Sequence, residues 1–196
     1  MTHIQGFAYI YDARVRLEKS QINTKRSVAM RHKKKQDYTR FKMQEDLVSI
    51  GNDFWIEDEN GERIFKVDGK AMRARETLVI EDRQGNTLCK TQERKLHIKD
   101  TMEIESPDGR SLATIKKAII SPVHDRFSVK VTDGSDLDIK GNILDHDYKI
   151  EAGRDKVAEV SKKWFRVRGT YGVEVAPGQN EALILTITAA LDIMTS

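Results

Sequence analysis

From residue 38 onward, apolar and polar side chains alternate in short runs that return at a nearly constant spacing. The runs are Phe54-Trp55-Ile56-Glu57, Leu78-Val79-Ile80-Glu81, Met102-Glu103-Ile104-Glu105, Phe127-Ser128-Val129-Lys130, Tyr148-Lys149-Ile150-Glu151 and Tyr171-Gly172-Val173-Glu174. Their first residues lie 24, 24, 25, 21 and 23 positions apart. A period of two is the signature of a strand with one buried face. A glycine follows each of the first five runs: Gly61, Gly85, Gly109, Gly134 and Gly153. Asn60-Gly61, Asp108-Gly109 and Asp133-Gly134 suit hairpin turns, because glycine, Asn and Asp tolerate the positive φ such turns demand. The chain then returns along a second strand. Phe65, Cys89 and Ala113 follow their glycines by four residues, and Val67, Thr91 and Ile115 by six, so each pair shares a face. Residues 38–50, with Leu47, Val48 and Ile50, predict one further strand ahead of the first hairpin, which makes about twelve in all.

The last stretch breaks this rhythm. From Ala182 to Met194, ten of thirteen side chains are apolar, and only Thr186, Thr188 and Asp192 interrupt them. A helix that is apolar almost all round belongs inside protein or membrane. Thirteen residues rise about 20 Å as a helix, short of the roughly 20 residues that cross a bilayer. Burial in protein is the better reading, and Asn180 is placed to cap the helix. An open sheet of twelve strands leaves two edges unpaired, whereas closure removes them. A barrel of twelve strands is wider than one of eight, which side chains alone fill. The predicted fold class is therefore mainly β: a closed, twelve-stranded antiparallel barrel around a buried C-terminal hydrophobic α-helix.

Charge divides the chain. Residues 1–42 carry eleven Lys and Arg against three Asp and Glu, while the remainder carries 23 against 28. The net charges are +8 and −5, which give the overall +3. The basic character therefore belongs to an N-terminal arm, residues 1–37, and residues 38–196 form the barrel domain. Arg31, Lys33, Lys34 and Lys35 make a basic run of the kind that binds anionic lipid or nucleic acid, or stays solvated. The repeats begin only after Met30, so residues 1–29 are read as a leader or as a product of start assignment. The lone Cys89 excludes an internal disulfide and suits a reducing compartment. With no secretory signal and no spanning segment apparent, a cytoplasmic location, peripheral at a membrane, is expected.

The phrases GNDFWIEDENGERIFKVDGKA, LVIEDRQGNTL, KKAIISPVHDRFSV and VSKKWFRVRGTYGVEVAPGQNEALILTITAALD resemble the LURP-one-related family of Tubby-like proteins. The resemblance runs from about Tyr38 to the C-terminus and leaves out residues 1–37. It implies the Tubby C-terminal-like fold, a twelve-stranded barrel around a hydrophobic helix, shared with phospholipid scramblases. Tubby proteins bind phosphoinositide headgroups through basic residues, so the resemblance also implies a lipid-facing module. No phosphoinositide motif of that family maps onto this sequence, and the scramblase cysteine-rich segment has no counterpart.

The candidate lipid or anion site is Lys162, Lys163, Arg166 and Arg168. Read as a strand, this stretch aligns Arg166 and Arg168 with Trp164, and two cations beside an aromatic suit a phosphate headgroup; the other reading is a solvated barrel surface with Trp164 inside. Lys116-Lys117 and Arg73 with Arg75 are smaller basic clusters. Asp145-His146-Asp147 fails as a metal site, because on a strand His146 faces away from both aspartates. His124-Asp125 has no nearby partner, and Asp58 to Glu62 is a hairpin turn without the frame of a calcium loop. Cys89 reads as a packed thiol. No nucleophile elbow, phosphate-cradling loop or zinc spacing appears, so neither enzyme activity, a cofactor nor a metal is expected. The functional expectation is a non-catalytic binding module contacting anionic phospholipid headgroups or a membrane-associated partner. The alternative is a nucleic-acid-binding or transcription-regulatory protein acting through the arm, since the mildly acidic core is not expected to bind nucleic acid.

Overall fold

The structure, a computed structural model, describes residues 38–45, 53–68, 78–93, 101–118, 126–165 and 167–195. The arm with its Arg31–Lys35 run lies outside them, as do Leu47, Val48, Ile50, Arg73, Arg75, His124 and Asp125. Alternation produces twelve strands: β1 (Thr39–Gln44), β2 (Phe54–Asp58), β3 (Arg63–Val67), β4 (Val79–Glu81), β5 (Thr87–Glu93), β6 (Thr101–Glu105), β7 (Ser111–Ala118), β8 (Arg126–Val131), β9 (Leu137–Asn142), β10 (Asp147–Ala152), β11 (Asp155–Ser161) and β12 (Thr170–Val175). The strand ahead of the first hairpin thus lies at Thr39–Gln44. Each strand pairs with the next, and β1 pairs with β12, so the antiparallel sheet closes into a barrel without edges.

Three successive hairpins are closed by one device. Asp58, Asp82 and Ser106 end the outgoing strands, and their backbone N–H groups donate to the carbonyls of Glu62, Asn86 and Arg110 at 2.9 Å each. The Asp58 carboxylate accepts from the N–H groups of Asn60 and Glu62, and that of Asp82 from those of Gln84 and Asn86. Gly61, Gly85 and Gly109 take φ of 81°, 83° and 85°, and a register shift marks each outgoing strand. This is a turn ending in a left-handed glycine with a bulge, the three-to-five-residue hairpin connection. Gly134 departs from the pattern, since its φ is not positive. In the third turn, Ser106 Oγ and the Arg110 side chain bond the Asp108 carboxylate and hold its pKa down at about 2.

Inward positions of the strands line a core that includes Phe54, Ile56, Ile80, Ile104, Ile115, Val129 and Ile150. The helix α1 (Glu181–Thr195) is buried at every position from Leu183 to Asp192, as an all-round apolar helix must be. Asn180 caps it, Oδ1 accepting from the Leu183 N–H at 3.1 Å. Its two buried threonines turn their hydroxyls back to helix carbonyls, Thr186 to Ala182 at 2.7 Å and Thr188 to Ile184 at 3.0 Å. Cys89 is buried facing Thr186, and burial pushes its thiol pKa up. In an up-and-down barrel, alternate connections lie at alternate ends. The three capped turns, the β10–β11 turn and the entry to α1 are at one end. The β9–β10 turn, the β11–β12 connection and the C-terminus of α1 are at the other, here called the helix-exit end.

Candidate functional site

On the outward face, charge is arranged as a cross-strand ladder over much of the barrel. Arg40 of β1 meets Glu174 of β12 at 2.9 Å, and Lys42 meets Glu57 of β2 at 2.5 Å. Lys66 meets Glu81 at 3.1 Å, Lys90 meets Glu105 at 3.5 Å, and Lys156 bridges Glu159 and Glu174. The first four pairs join residues directly opposite in the sheet, where unlike charges stabilise. A barrel that spans a membrane carries an apolar band in that place.

The ladder stops at β7. On the outward face of β7–β10 stand Lys116, Arg126, Lys130, Lys140 and Lys149, all exposed, against Asp138, Asp147 and Glu151. Lys140 lies directly opposite Lys149. Arg126, one position beyond the last β8–β9 pair, is close enough to lower the Lys140 pKa against the larger upward pull of Glu151. Arg126, Lys140 and Lys149 therefore form a row across three adjacent strands. Among the described residues, only Lys140 of these has an ion-pair partner, Glu151 at 2.7 Å. Lys116, Arg126, Lys130 and Lys149 pair with no carboxylate among the described residues. Like charges side by side on a sheet are mutually destabilising, so this face is arranged at a cost to the free protein. Sequence reading missed it because its members come from four strands and never form a run.

The segment singled out from the sequence lies at the helix-exit end. It is the connection between β11 and β12, not a strand, so two-residue alternation does not govern it. Lys162 bonds the partly buried Glu45 at 3.0 Å and Lys163 bonds Asp147 at 3.2 Å, the second pair exposed on both sides. Arg168 is exposed, and Arg166 lies outside the described residues. Trp164 is half-buried and carries the Arg40 guanidinium 5.6 Å above its ring. With Phe165 it covers Gly172, where an added Cβ would come within 2.9 Å of the indole. Lys116 is exposed, whereas the Lys117 ammonium stands over the Phe127 ring at 5.8 Å.

Asp145-His146-Asp147 opens in three directions. His146 lies in the β9–β10 turn, and its φ of 50° goes with a ring that faces inward. Asp145 bonds Asn142, and Asp147 bonds Lys163. The His146 ring stacks on Tyr171 at 4.1 Å, with Nε2 facing Oδ1 of Asp192 at 3.2 Å but making no hydrogen bond. Tyr171 donates to Oδ2 of Asp192 at 2.6 Å. Burial first, and the Asp192 charge second, push the phenols of Tyr148 and Tyr171 well above the usual tyrosine range. This buried group joins turn, barrel wall and helix. Among the described residues, no set of three or more His, Cys, Asp and Glu side chains could hold a metal ion.

No helix among the described residues is long and apolar enough to cross a membrane. A comparison with curated proteins returned no match. Among solved structures, the chain is similar to a crystal structure of a protein from Arabidopsis thaliana, with a TM-score of 0.61 and 20% identity over 81% of this chain and 92% of that one. At that identity the likeness concerns the fold. The family profile described as LURP-one-related matches residues 39–192, from the first barrel strand to Asp192 of the central helix. With the closed barrel, the filling helix and this match together, the chain belongs to the LURP-one-related family.

Proposed function

We propose that this protein is a non-catalytic binding module that contacts anionic phospholipid headgroups from the cytoplasmic side of a membrane. The observation that carries the reading is the row Arg126, Lys140 and Lys149, with Lys116 and Lys130 beside it: cations brought together where the rest of the outward face pairs them. Clustered basic side chains contribute about 1 kcal/mol each near an anionic leaflet. Lys162, Lys163, Arg166 and Arg168 belong to the same contact in this reading. The surface bonds of Lys162 and Lys163 to carboxylates are worth little in water and are easily exchanged for lipid phosphate.

The test is sedimentation of the full chain with phosphatidylserine-containing vesicles and with neutral phosphatidylcholine vesicles, at low salt. A second protein carries Arg31→Gln, Lys33→Gln, Lys34→Gln and Lys35→Gln. The reading expects binding to the anionic vesicles only, and retention of most of it without the charges of the arm. Loss of all binding with those four substitutions, or displacement by duplex DNA, would instead favour the arm as a nucleic-acid-binding or generic electrostatic segment. Failure to sediment with either vesicle would sink the lipid reading.

A further inference from the structure

Among the described residues, only two large apolar side chains are exposed: Leu144, 66% accessible, and Val167, 55%. Singly, such residues are unremarkable on a protein surface. Their placement is what matters. Leu144 is at the tip of the β9–β10 turn and Val167 is in the β11–β12 connection, both at the helix-exit end. The bond from Lys163 Nζ to Asp147 Oδ2 ties the second connection to the strand that leaves the first. The turn itself is held firmly. Its neighbour Ile143 is buried, the His146 N–H donates to the Ile143 carbonyl at 2.9 Å, and Asn142 and Asp145 bond each other. The backbone of the other tip is pinned by the Thr170 hydroxyl, which donates to the Val167 carbonyl at 2.8 Å. Both tips are thus presented on anchored backbone, with no partner within the described chain.

The cations stand behind them. Lys140 and Lys149 are two residues back along β9 and β10 from the strand ends at Asn142 and Asp147, roughly 7 Å at the rise of a strand. Arg126 is beside Lys140, and Arg168 follows Val167 directly. The carboxylates nearer the tip, Asp145 and Asp147, are engaged by Asn142 and Lys163. An apolar tip with cations about 7 Å behind it suits the depth profile of a leaflet, where apolar groups enter by about 5–10 Å and basic groups meet phosphate. Nucleic acid offers no apolar layer, so it leaves the two tips unexplained.

We propose that the barrel docks on an anionic membrane through its helix-exit end, with Leu144 and Val167 entering the apolar margin and Arg126, Lys140, Lys149 and Arg168 meeting lipid phosphates. This rests on the lipid reading above and adds the orientation and the apolar contact. It also gives the charged row a role: side chains that repel one another in water find counter-charges at the leaflet.

The test places an environment-sensitive fluorophore on the full chain at Leu144→Cys, at Val167→Cys or at Arg154→Cys. Arg154 is exposed in the β10–β11 turn at the opposite end, and the native Cys89 is buried. With phosphatidylserine vesicles, emission at positions 144 and 167 shifts to the blue and becomes quenchable by a bromine-labelled acyl chain, while position 154 does not respond. Leu144→Ser with Val167→Ser lowers vesicle affinity roughly a hundredfold, about tenfold for each apolar side chain withdrawn from an apolar phase. If the chain sediments with the vesicles but positions 144 and 167 stay silent, or position 154 responds alike, the orientation is overturned and the lipid reading survives. If the chain does not sediment, both fall. A shift at position 144 induced by duplex DNA instead of vesicles also overturns the proposal.

Discussion

Asp192 occupies the last turn of α1, where the free carbonyl ends of a helix already concentrate partial negative charge. A carboxylate there, 8% exposed, needs compensation. Tyr171 gives it a hydrogen bond and His146 a close, facing nitrogen. His146 reaches that position only by adopting a left-handed backbone, which costs a non-glycine residue something and is over-determined here by the stack on Tyr171. Tyr148, equally buried, sits near Thr188, whose hydroxyl is turned to Ile184, and its oxygen completes no well-aligned hydrogen bond. The two tyrosines therefore separate in a stability measurement. Tyr171→Phe is expected to cost about 2 kcal/mol in urea unfolding, the worth of a hydrogen bond to a charged group. Tyr148→Phe is expected to cost under about 1 kcal/mol, since little bonding is lost. Equal costs for the two would contradict this assignment. None of the cluster was legible from spacing. Asp145-His146-Asp147 reads as an alternating strand, and the positive φ that turns His146 inward leaves no mark on the sequence.

At the scale of elements, the sequence was informative where local chemistry repeats. The alternating runs became β2, β4, β6, β8, β10 and β12, and the glycines at 61, 85 and 109 became the same left-handed turn three times over. Asn180 proved to be the cap of α1, since an amide at that position satisfies a free helix N–H whatever the tertiary context. Legibility failed at the β11–β12 connection. Trp164 and Phe165 have strand-like character, yet they leave the sheet to roof the gap above Gly172, a contact set by β12 and not by their neighbours in sequence. The filling of the barrel by α1 makes a sharp prediction. Ile187 is fully buried, so Ile187→Asp places an unpaired carboxylate in the core and should abolish the cooperative thermal transition. Ile187→Val, which removes one methylene, should cost only about 1 kcal/mol. Two similar melting curves would mean that the helix is not the core.

On the whole molecule, the outward charges divide the barrel wall into a paired sector and an unpaired one. Over β1–β6, β11 and β12, Arg40, Lys42, Lys66, Lys90 and Lys156 meet carboxylates on the neighbouring strand. Across β8–β10, Arg126, Lys140 and Lys149 stand side by side even though residues 43–196 carry a net charge of −5. Net charge pointed to the arm and away from the body, because a sum over sequence does not see which strands end up side by side. The most direct measurement is the vesicle affinity of the full chain with Arg126→Gln, Lys149→Gln and Arg168→Gln, three cations of the proposed contact that bond no carboxylate among the described residues. At low salt and with phosphatidylserine vesicles, the account predicts a loss of roughly a hundredfold, from about 1 kcal/mol per basic residue. The melting temperature should be unchanged or slightly raised as mutual repulsion is relieved. An affinity equal to that of the unsubstituted chain would contradict the central claim, that this face of the barrel is where the protein meets its anionic partner.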